Sequence, residues 1–303
     1  MKVLITGGGG FLGAWLVRRL LVAGIEVRIF DLGTKRDMVA AQIGKAQAQA
    51  LEWRTGDISQ YEPVLQASEG CDGVIHLAGL LTPACRERPW MGMAVNVAGT
   101  LNVFEAARVC GMRNVIYTSS GGVFGPDDSD IPLPTTLYGT WKLANEGIGR
   151  TYWHEAGIAS IGFRPFVVYG PGRETGLSAG PTLACKAAAT NQPYAIPVSG
   201  NAGLVYVDDV AAAYCAAVQA DVKGAHTMNL PGEVASMDHV VSLIRELVPS
   251  ANIDVTGSPL PSAYGVANEW ANGLLQLPTE TSLRDGIRQT VDYYMRKCAE
   301  SPN

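Results

Sequence analysis

Val3-Leu4-Ile5-Thr6-Gly7-Gly8-Gly9-Gly10-Phe11-Leu12-Gly13 decides how the chain is read. Val3-Leu4-Ile5 is a short apolar run with β-branched residues, the pattern of a strand buried on both faces. From Phe11 to Ala23, apolar residues recur at helical spacing, at Phe11, Leu12, Trp15, Leu16 and Leu20, while Arg18 and Arg19 fall off that face. The glycines therefore occupy a strand-to-helix turn. Gly7 permits the tight turn, Gly10 lets a pyrophosphate approach the backbone, and Gly13 lets the helix pack close to the strand. A helix N-terminus adds unpaired N–H groups and a positive dipole end. A second apolar run, Val27-Arg28-Ile29-Phe30, ends at Asp31. A carboxylate there suits a ribose diol and repels a 2′-phosphate, so NAD is expected over NADP. Lys35 and Arg36 follow closely and are the counter-argument.

Far downstream stands Tyr138-Gly139-Thr140-Trp141-Lys142. Residues at i and i+4 share a helix face, and a nearby ammonium stabilises a phenolate. Tyr138 can then exchange a proton while a hydride moves. Taken alone, the pair reads more readily as a surface lysine beside a half-buried tyrosine, since the spacing is common by chance. Upstream, Asn114-Val115-Ile116-Tyr117-Thr118-Ser119-Ser120 reads as a strand ending in hydroxyls. Ligands of open α/β sheets gather at such carboxyl ends, so Ser119 and Ser120 are expected beside the glycine loop and able to bind a substrate oxygen.

Strand and helix signals alternate through the first half. Strands are expected near 2–6, 26–31, 51–54, 73–77, 114–119 and 159–164, and helices near 11–23, 36–49, 60–68, 90–110 and 138–156. That order implies a Rossmann-type, doubly wound parallel sheet with right-handed crossovers. After Arg164 the chain becomes rich in Gly and Pro, which suggests a smaller, discontinuous C-terminal substrate lobe. The expected division is 1–165 with 204–223 for the dinucleotide-binding part, and 166–203 with 224–303 for the lobe. Ser236 is an expected N-cap, and 281–298 an expected final helix. Between the two parts, Thr82 and Arg173 are candidate substrate contacts. Arg86, Glu87 and Arg88 read better as an exposed charged stretch.

Composition bounds the function. Of 303 residues, 47% are hydrophobic and 17% charged, which indicates a folded, core-rich protein. A net charge of −5 offers no general attraction to nucleic acid or anionic membrane. Six cysteines without a Cys-x-x-Cys pair read as buried thiols of a reducing compartment, and no metal site is expected from them or from the four histidines. His76 reads as structural. Met1-Lys2-Val3 enters the first strand directly and no apolar run reaches membrane-spanning length, so a cytoplasmic protein is expected.

These motifs, with Gly56-Asp57-Ile58, His76-Leu77-Ala78-Gly79, Asn96-Val97-Ala98-Gly99-Thr100, Arg164-Pro165, Tyr169-Gly170-Pro171-Gly172 and Val207-Asp208-Asp209-Val210-Ala211, resemble the extended short-chain dehydrogenase/reductase family, the NAD-dependent epimerase/dehydratases. The resemblance spans nearly the whole chain. It implies that Asp57 and Ile58 cradle adenine and that Leu77, Ala78 and Gly79 line the cofactor channel. It further implies that Asn96 supports the active-site helix, that Ser120 holds the substrate oxygen and that Tyr138 is the acid–base group. Lys142 would bind the nicotinamide ribose and tune Tyr138, and Phe166 would pack near the nicotinamide. A homodimer through the helices at 90–110 and 138–156 is implied too, with Val97, Leu101, Phe104 and Val109 as residues that could face either a partner or the sheet.

Two departures bear on substrate. Nucleotide-sugar members usually carry Asn where this chain has Val167, and an arginine where it has Ala202. Loss of a cationic phosphate anchor removes about 1.5–3 kcal/mol of charge-assisted contact. Gly121-Gly122 after Ser120, in place of Asp-Glu, argues against dehydration. The expected activity is hydride transfer from a secondary alcohol of a small carbohydrate-like molecule: a sugar, sugar acid or polyol dehydrogenase, or a sugar epimerase. The alternatives are a nucleotide-sugar 4-epimerase and, in another class, a non-catalytic NAD(P) sensor.

Overall fold

In a computed structural model that describes residues 1–33, 36–126, 130–260, 263–270 and 273–300, twelve strands are found among the described residues. They are β1 (Lys2–Thr6), β2 (Glu26–Asp31), β3 (Glu52–Thr55), β4 (Gly73–His76), β5 (Asn114–Thr118), β6 (Ala159–Pro165), β7 (Val167–Tyr169), β8 (Tyr194–Ile196), β9 (Asn201–Tyr206), β10 (Ala225–Leu230), β11 (Glu233–Ser236) and β12 (Ile253–Val255). Seven form one all-parallel sheet in the order β10-β6-β5-β4-β1-β2-β3. Val3, Leu4 and Ile5 at its centre have no exposed surface, because helices cover both faces.

The chain runs outward from β1 through β2 to β3, then returns to lay β4 against the other side of β1. The strand order reverses there, and the loops after β1 and β4 diverge to leave a crevice at the carboxyl edge. Past β6 the chain leaves the main sheet at Phe166. β7 joins a small sheet of order β11-β9-β7, while β8 pairs with β12. Residues 225–230, grouped by the sequence reading with the lobe, instead form β10, the outer strand of the main sheet, paired in parallel with residues 160–165 of β6.

Two expected helices differ in detail. Gly44, at φ +86°, breaks the 36–49 segment into Asp37–Ile43 and Lys45–Ala50. The 90–110 segment begins at Pro89 and contains a π-helical turn at Ala94–Ala98, which carries the buried Asn96. Ser236 caps its helix as expected, its hydroxyl accepting the His239 N–H at 3.1 Å. The last helix runs Leu283–Glu300.

Gly13 is where strand, loop and helix meet. A Cβ there would lie 2.6 Å from the Cα and the carbonyl oxygen of Gly8, both backbone atoms. Gly13→Ala is therefore expected to lever the first helix off the loop, at about 1–3 kcal/mol of stability, and to weaken NAD binding at least tenfold. Thermal melting and NAD titration check this; wild-type values for both would contradict it.

Candidate active site

The loop after β1 has the form of an anion cradle. Gly7 takes φ +71°, and its N–H bonds to the Phe30 carbonyl at 2.8 Å. A Cβ on Gly7 would lie 2.8 Å from the Ala78 nitrogen, so the turn needs glycine on both conformational and steric grounds. The first intrahelical bond runs from Ala14 to Gly10, which leaves the N–H groups of Phe11, Leu12 and Gly13 without helical partners, and no side chain caps this end. These groups fit a pyrophosphate. Asp31 ends β2 and accepts the Gly9 N–H at 3.0 Å, so its carboxylate both braces the loop and stands at the crevice. Lys35 lies outside the described residues. Arg36 turns away, over the Trp53 ring at 5.2 Å and toward the Gln49 carbonyl at 3.3 Å.

Other expected cofactor residues flank the crevice. Asp57 closes a tight turn, accepting both the N–H and the hydroxyl of Ser59 at 2.9 and 2.8 Å. Ile58 is buried in the core against Gly99. Leu77, Ala78 and Gly79 follow β4. Asn96 clamps this stretch, its amide bonding the Leu80 N–H at 3.2 Å and the Leu80 carbonyl at 3.1 Å. A Cβ on Gly79 would lie 2.8 Å from the Asn96 side chain and 3.6 Å from Lys142 Nζ.

The end of β5 and the helix Leu137–Ala156 carry the candidate reacting groups. Thr136 starts that helix by accepting the Gly139 N–H at 3.1 Å. A Cβ on Gly139 would fall on the carbonyl oxygen of Gly122, so helix and loop meet backbone to backbone. Ser120 accepts the Gly122 N–H at 3.0 Å and lines the same cavity wall as Tyr138. Lys142 Nζ donates to the Thr118 carbonyl at 2.7 Å and sits 5.7 Å from the centre of the Tyr138 ring. Burial pushes Lys142 down to about 8. Burial also raises Tyr138, opposed by the Ser120 hydrogen bond and the Arg173 charge. Desolvation outweighs both, so Tyr138 lies above the ordinary tyrosine value, where the Tyr–Lys spacing led to the expectation of a lowered one.

A cavity of about 290 Å³ opens above these groups. Phe11, Leu12, Thr82, Ser120, Tyr138 and Phe166 all line it, and among the described residues Arg173 is the one charged group on its wall. The Arg173 Nη2 atom donates to Ser178 at 3.2 Å, the guanidinium sits 5.7 Å from the Phe11 ring centre, and Nε is buried with no hydrogen-bond partner. Its loop is held from both sides: Trp15 donates to the Pro171 carbonyl at 3.0 Å, and Gly172 donates to the Tyr294 hydroxyl at 3.1 Å. Val167 and Ala202 also reach the wall, where a nucleotide-sugar site would hold an amide and a cation.

Several residues of the site escaped the sequence reading. Thr136, Phe124 and Leu260 carry no motif. Glu146 did carry a signal, since it continues the 138/142 spacing by one more turn. Its carboxylate meets Ser119 and Arg164 below the site. His76 is structural as expected. It is buried between Thr6 at 2.6 Å and Thr100 at 3.1 Å, and burial pushes it down to about 3, so it stays neutral. Arg86, Glu87 and Arg88 are exposed and do not line the cavity.

The sequence profile of the NAD dependent epimerase/dehydratase family matches residues 3–230. A UDP-glucose 4-epimerase of Mycolicibacterium smegmatis is 29% identical over 327 aligned residues, covering 98% of this chain and 99% of that protein. The 3 beta-hydroxysteroid dehydrogenase type 7 of Mus musculus is 32% identical over 235 residues, covering 69% of this chain and 60% of that protein. Among solved structures, a Thermus thermophilus UDP-glucose 4-epimerase in complex with NAD superposes with a TM-score of 0.79, at 26% identity, covering 97% and 99% of the two chains. The chain belongs to the NAD-dependent epimerase/dehydratase family and is an NAD-dependent enzyme of the extended short-chain dehydrogenase/reductase type.

Tyr138→Phe removes the cavity hydroxyl expected to exchange the substrate proton. Turnover is expected to fall by about 10²–10⁴-fold while NAD affinity stays within about twofold, since phenylalanine keeps the ring and its packing. Steady-state kinetics and NAD titration check this; retained turnover would remove Tyr138 from the chemistry.

Proposed function

We propose that the protein oxidises a secondary alcohol of a small, carbohydrate-like substrate, with Ser120, Tyr138 and Lys142 as the catalytic residues. The carrying observation is that Ser120 and Tyr138 line a cavity in which Arg173 is the one charged wall residue among the described residues, with Lys142 one helical turn from Tyr138 and held by the Thr118 carbonyl. Bound NAD⁺ supplies the hydride acceptor and a positive charge. Ser120 holds the substrate oxygen, and the hydroxyl proton passes to the Tyr138 phenolate as the C–H bond breaks. Lys142, fixed by the Thr118 carbonyl, would hold the nicotinamide ribose, while Ser120 and Arg173 favour the phenolate. In a dehydrogenase the ketone leaves. In an epimerase Tyr138 returns the proton after the hydride has come back to the opposite face.

Arg173 and Thr82 are the proposed substrate contacts. A guanidinium with a buried, unpartnered Nε suits an anionic group, which favours a sugar acid over a neutral polyol. The second reading, a nucleotide-sugar 4-epimerase, draws on the printed activity of the Mycolicibacterium and Thermus relatives. Against it stands Ala202 in place of a phosphate-binding cation.

Incubation of the purified protein with NAD and a panel of sugars, sugar acids, polyols and nucleotide sugars tests the reading. NADH release with a keto product is expected for a carboxylated substrate, and Arg173→Ala is expected to raise its KM at least tenfold. Configurational change without NADH release selects the epimerase arm, and turnover confined to nucleotide sugars selects the second reading. No turnover on any member contradicts both.

We also propose a homodimer. Phe104 is buried against Tyr117 and faces the sheet, but Leu101, Val109, Trp90, Met91 and Met93 are exposed along the same helical stretch. A second copy covering that face would remove this apolar surface from water. Sedimentation velocity is expected to show a dimer that Leu101→Glu dissociates; a wild-type monomer at all concentrations contradicts it.

A further inference from the structure

A buried polar chain lies directly beneath the catalytic pair, and the proton and hydride steps make no use of it. Tyr138, Lys142 and Glu146 are spaced by four residues and share one face of their helix. Each meets a different one of three consecutive residues at the end of β5. Tyr138 stands beside Ser120 on the cavity wall, Lys142 donates to the Thr118 carbonyl, and the Ser119 hydroxyl donates to Glu146 Oε1 at 2.5 Å. Ser119 has no exposed surface.

From Glu146 the chain continues across the sheet. Arg164 on β6 donates to both carboxylate oxygens, from Nε at 2.7 Å and Nη2 at 2.6 Å. Its Nη1 reaches Asn229 on β10 at 3.3 Å. Its guanidinium lies 5.1 Å from the centre of the Phe124 ring, and Phe124 stacks on Phe166 at 6.3 Å. Both rings line the cavity. One carboxylate is thus tied to the residue preceding Ser120 and, through Arg164, to the aromatic wall.

Resting on the oxidoreductase reading above, we propose that Ser119, Glu146 and Arg164 are positioning residues, which set the register of the catalytic helix on β5 so that the Tyr138 hydroxyl meets Ser120. Stability alone is a poor reason for the arrangement, since a buried ion pair is often matched or bettered by apolar side chains of the same volume. Placement is a better one: reactive groups need a supporting shell that holds them within a fraction of an ångström. Of the three, Ser119 touches the chain closest to the chemistry, and a single oxygen makes its contact.

The pH profile separates positioning from mere support. The groups facing Tyr138 are Ser120 at the end of β5, Arg173 on its clamped loop, Cys85 of the helix Thr82–Glu87, Tyr214 of the helix Val207–Gln219, and Lys142 on its own helix. Ser120 and Arg173 lower the Tyr138 pKa. With Ser120 displaced, the tyrosine needs a higher pH to act as base, so the acid limb of kcat/KM for oxidation moves up.

Ser119→Ala is the first variant. Its kcat is expected to fall about tenfold, with KM for NAD and substrate within about twofold and the acid limb raised by about one unit. An unmoved acid limb and unchanged kcat, whatever happens to the melting temperature, would overturn the proposal and leave the chain a structural element only. Should the alanine variant not fold, Ser119→Cys fills the same space with a weaker donor and carries the same readout. If wild-type protein turns over no substrate of the panel, the oxidoreductase reading fails and this proposal falls with it. If the wild type is active and the limb stays put, this proposal fails alone.

Discussion

The contact of Gly139 with the carbonyl oxygen of Gly122 is the constraint on which the rest of the site depends. The catalytic helix lies on the loop after β5 with no side chain between the two backbones. Only at that separation can Tyr138, one residue before Gly139, reach Ser120, two residues before Gly122. The same approach brings Lys142 to the Thr118 carbonyl and Glu146 to Ser119. Three turns of one helix are thereby matched to three residues of one strand end. A single Cβ at the first contact would shift all three.

The parallel sheet explains why these groups meet a dinucleotide at all. Reversal of strand order at β1 and β4 opens a crevice whose floor is Gly7 against Ala78. Unpaired N–H groups of the first helix lie on one side of it and the end of β5 on the other. The chain that leaves β6 at Phe166 forms another wall of the cavity. The ring of Phe166 lies 2.9 Å from where a Cβ of Gly121 would stand, so Gly121 makes room for an aromatic wall. Arg173 then projects from a loop that Trp15 and Tyr294 hold in place, which spares it part of the entropy a free arginine loses on binding.

Local patterns made the fold legible. The apolar runs of β1, β2, β4, β5 and β6 are continuous because both sheet faces are covered, and the glycine loop marks its own turn. Ser120, Tyr138 and Lys142 were legible for the same reason, since a strand end and a four-residue helical spacing are short-range features. What sequence could not show was long-range: that Tyr294 near the C-terminus would pin the loop of Arg173, that Arg164 would answer Glu146, or that β10 would return to the main sheet. Each depends on pairing across tens of residues, for which periodicity carries no signal. The Tyr138 pKa belongs with these. The four-residue spacing suggested a lysine that lowers it, whereas burial raises it and the opposing contributions come from Ser120 and Arg173.

A crystal structure of the wild-type protein with NAD⁺ tests the central claim most directly, which is that the helix–strand register puts the Tyr138 hydroxyl and Ser120 where a carbinol must lie. The account predicts the pyrophosphate on the N–H groups of residues 11–13 and a ribose hydroxyl on Asp31. It also predicts the nicotinamide between Phe166 and the Ser120–Tyr138 pair, with Lys142 at its ribose. A nicotinamide directed away from Tyr138, or a Tyr138 hydroxyl separated from Ser120 in the complex, would contradict it.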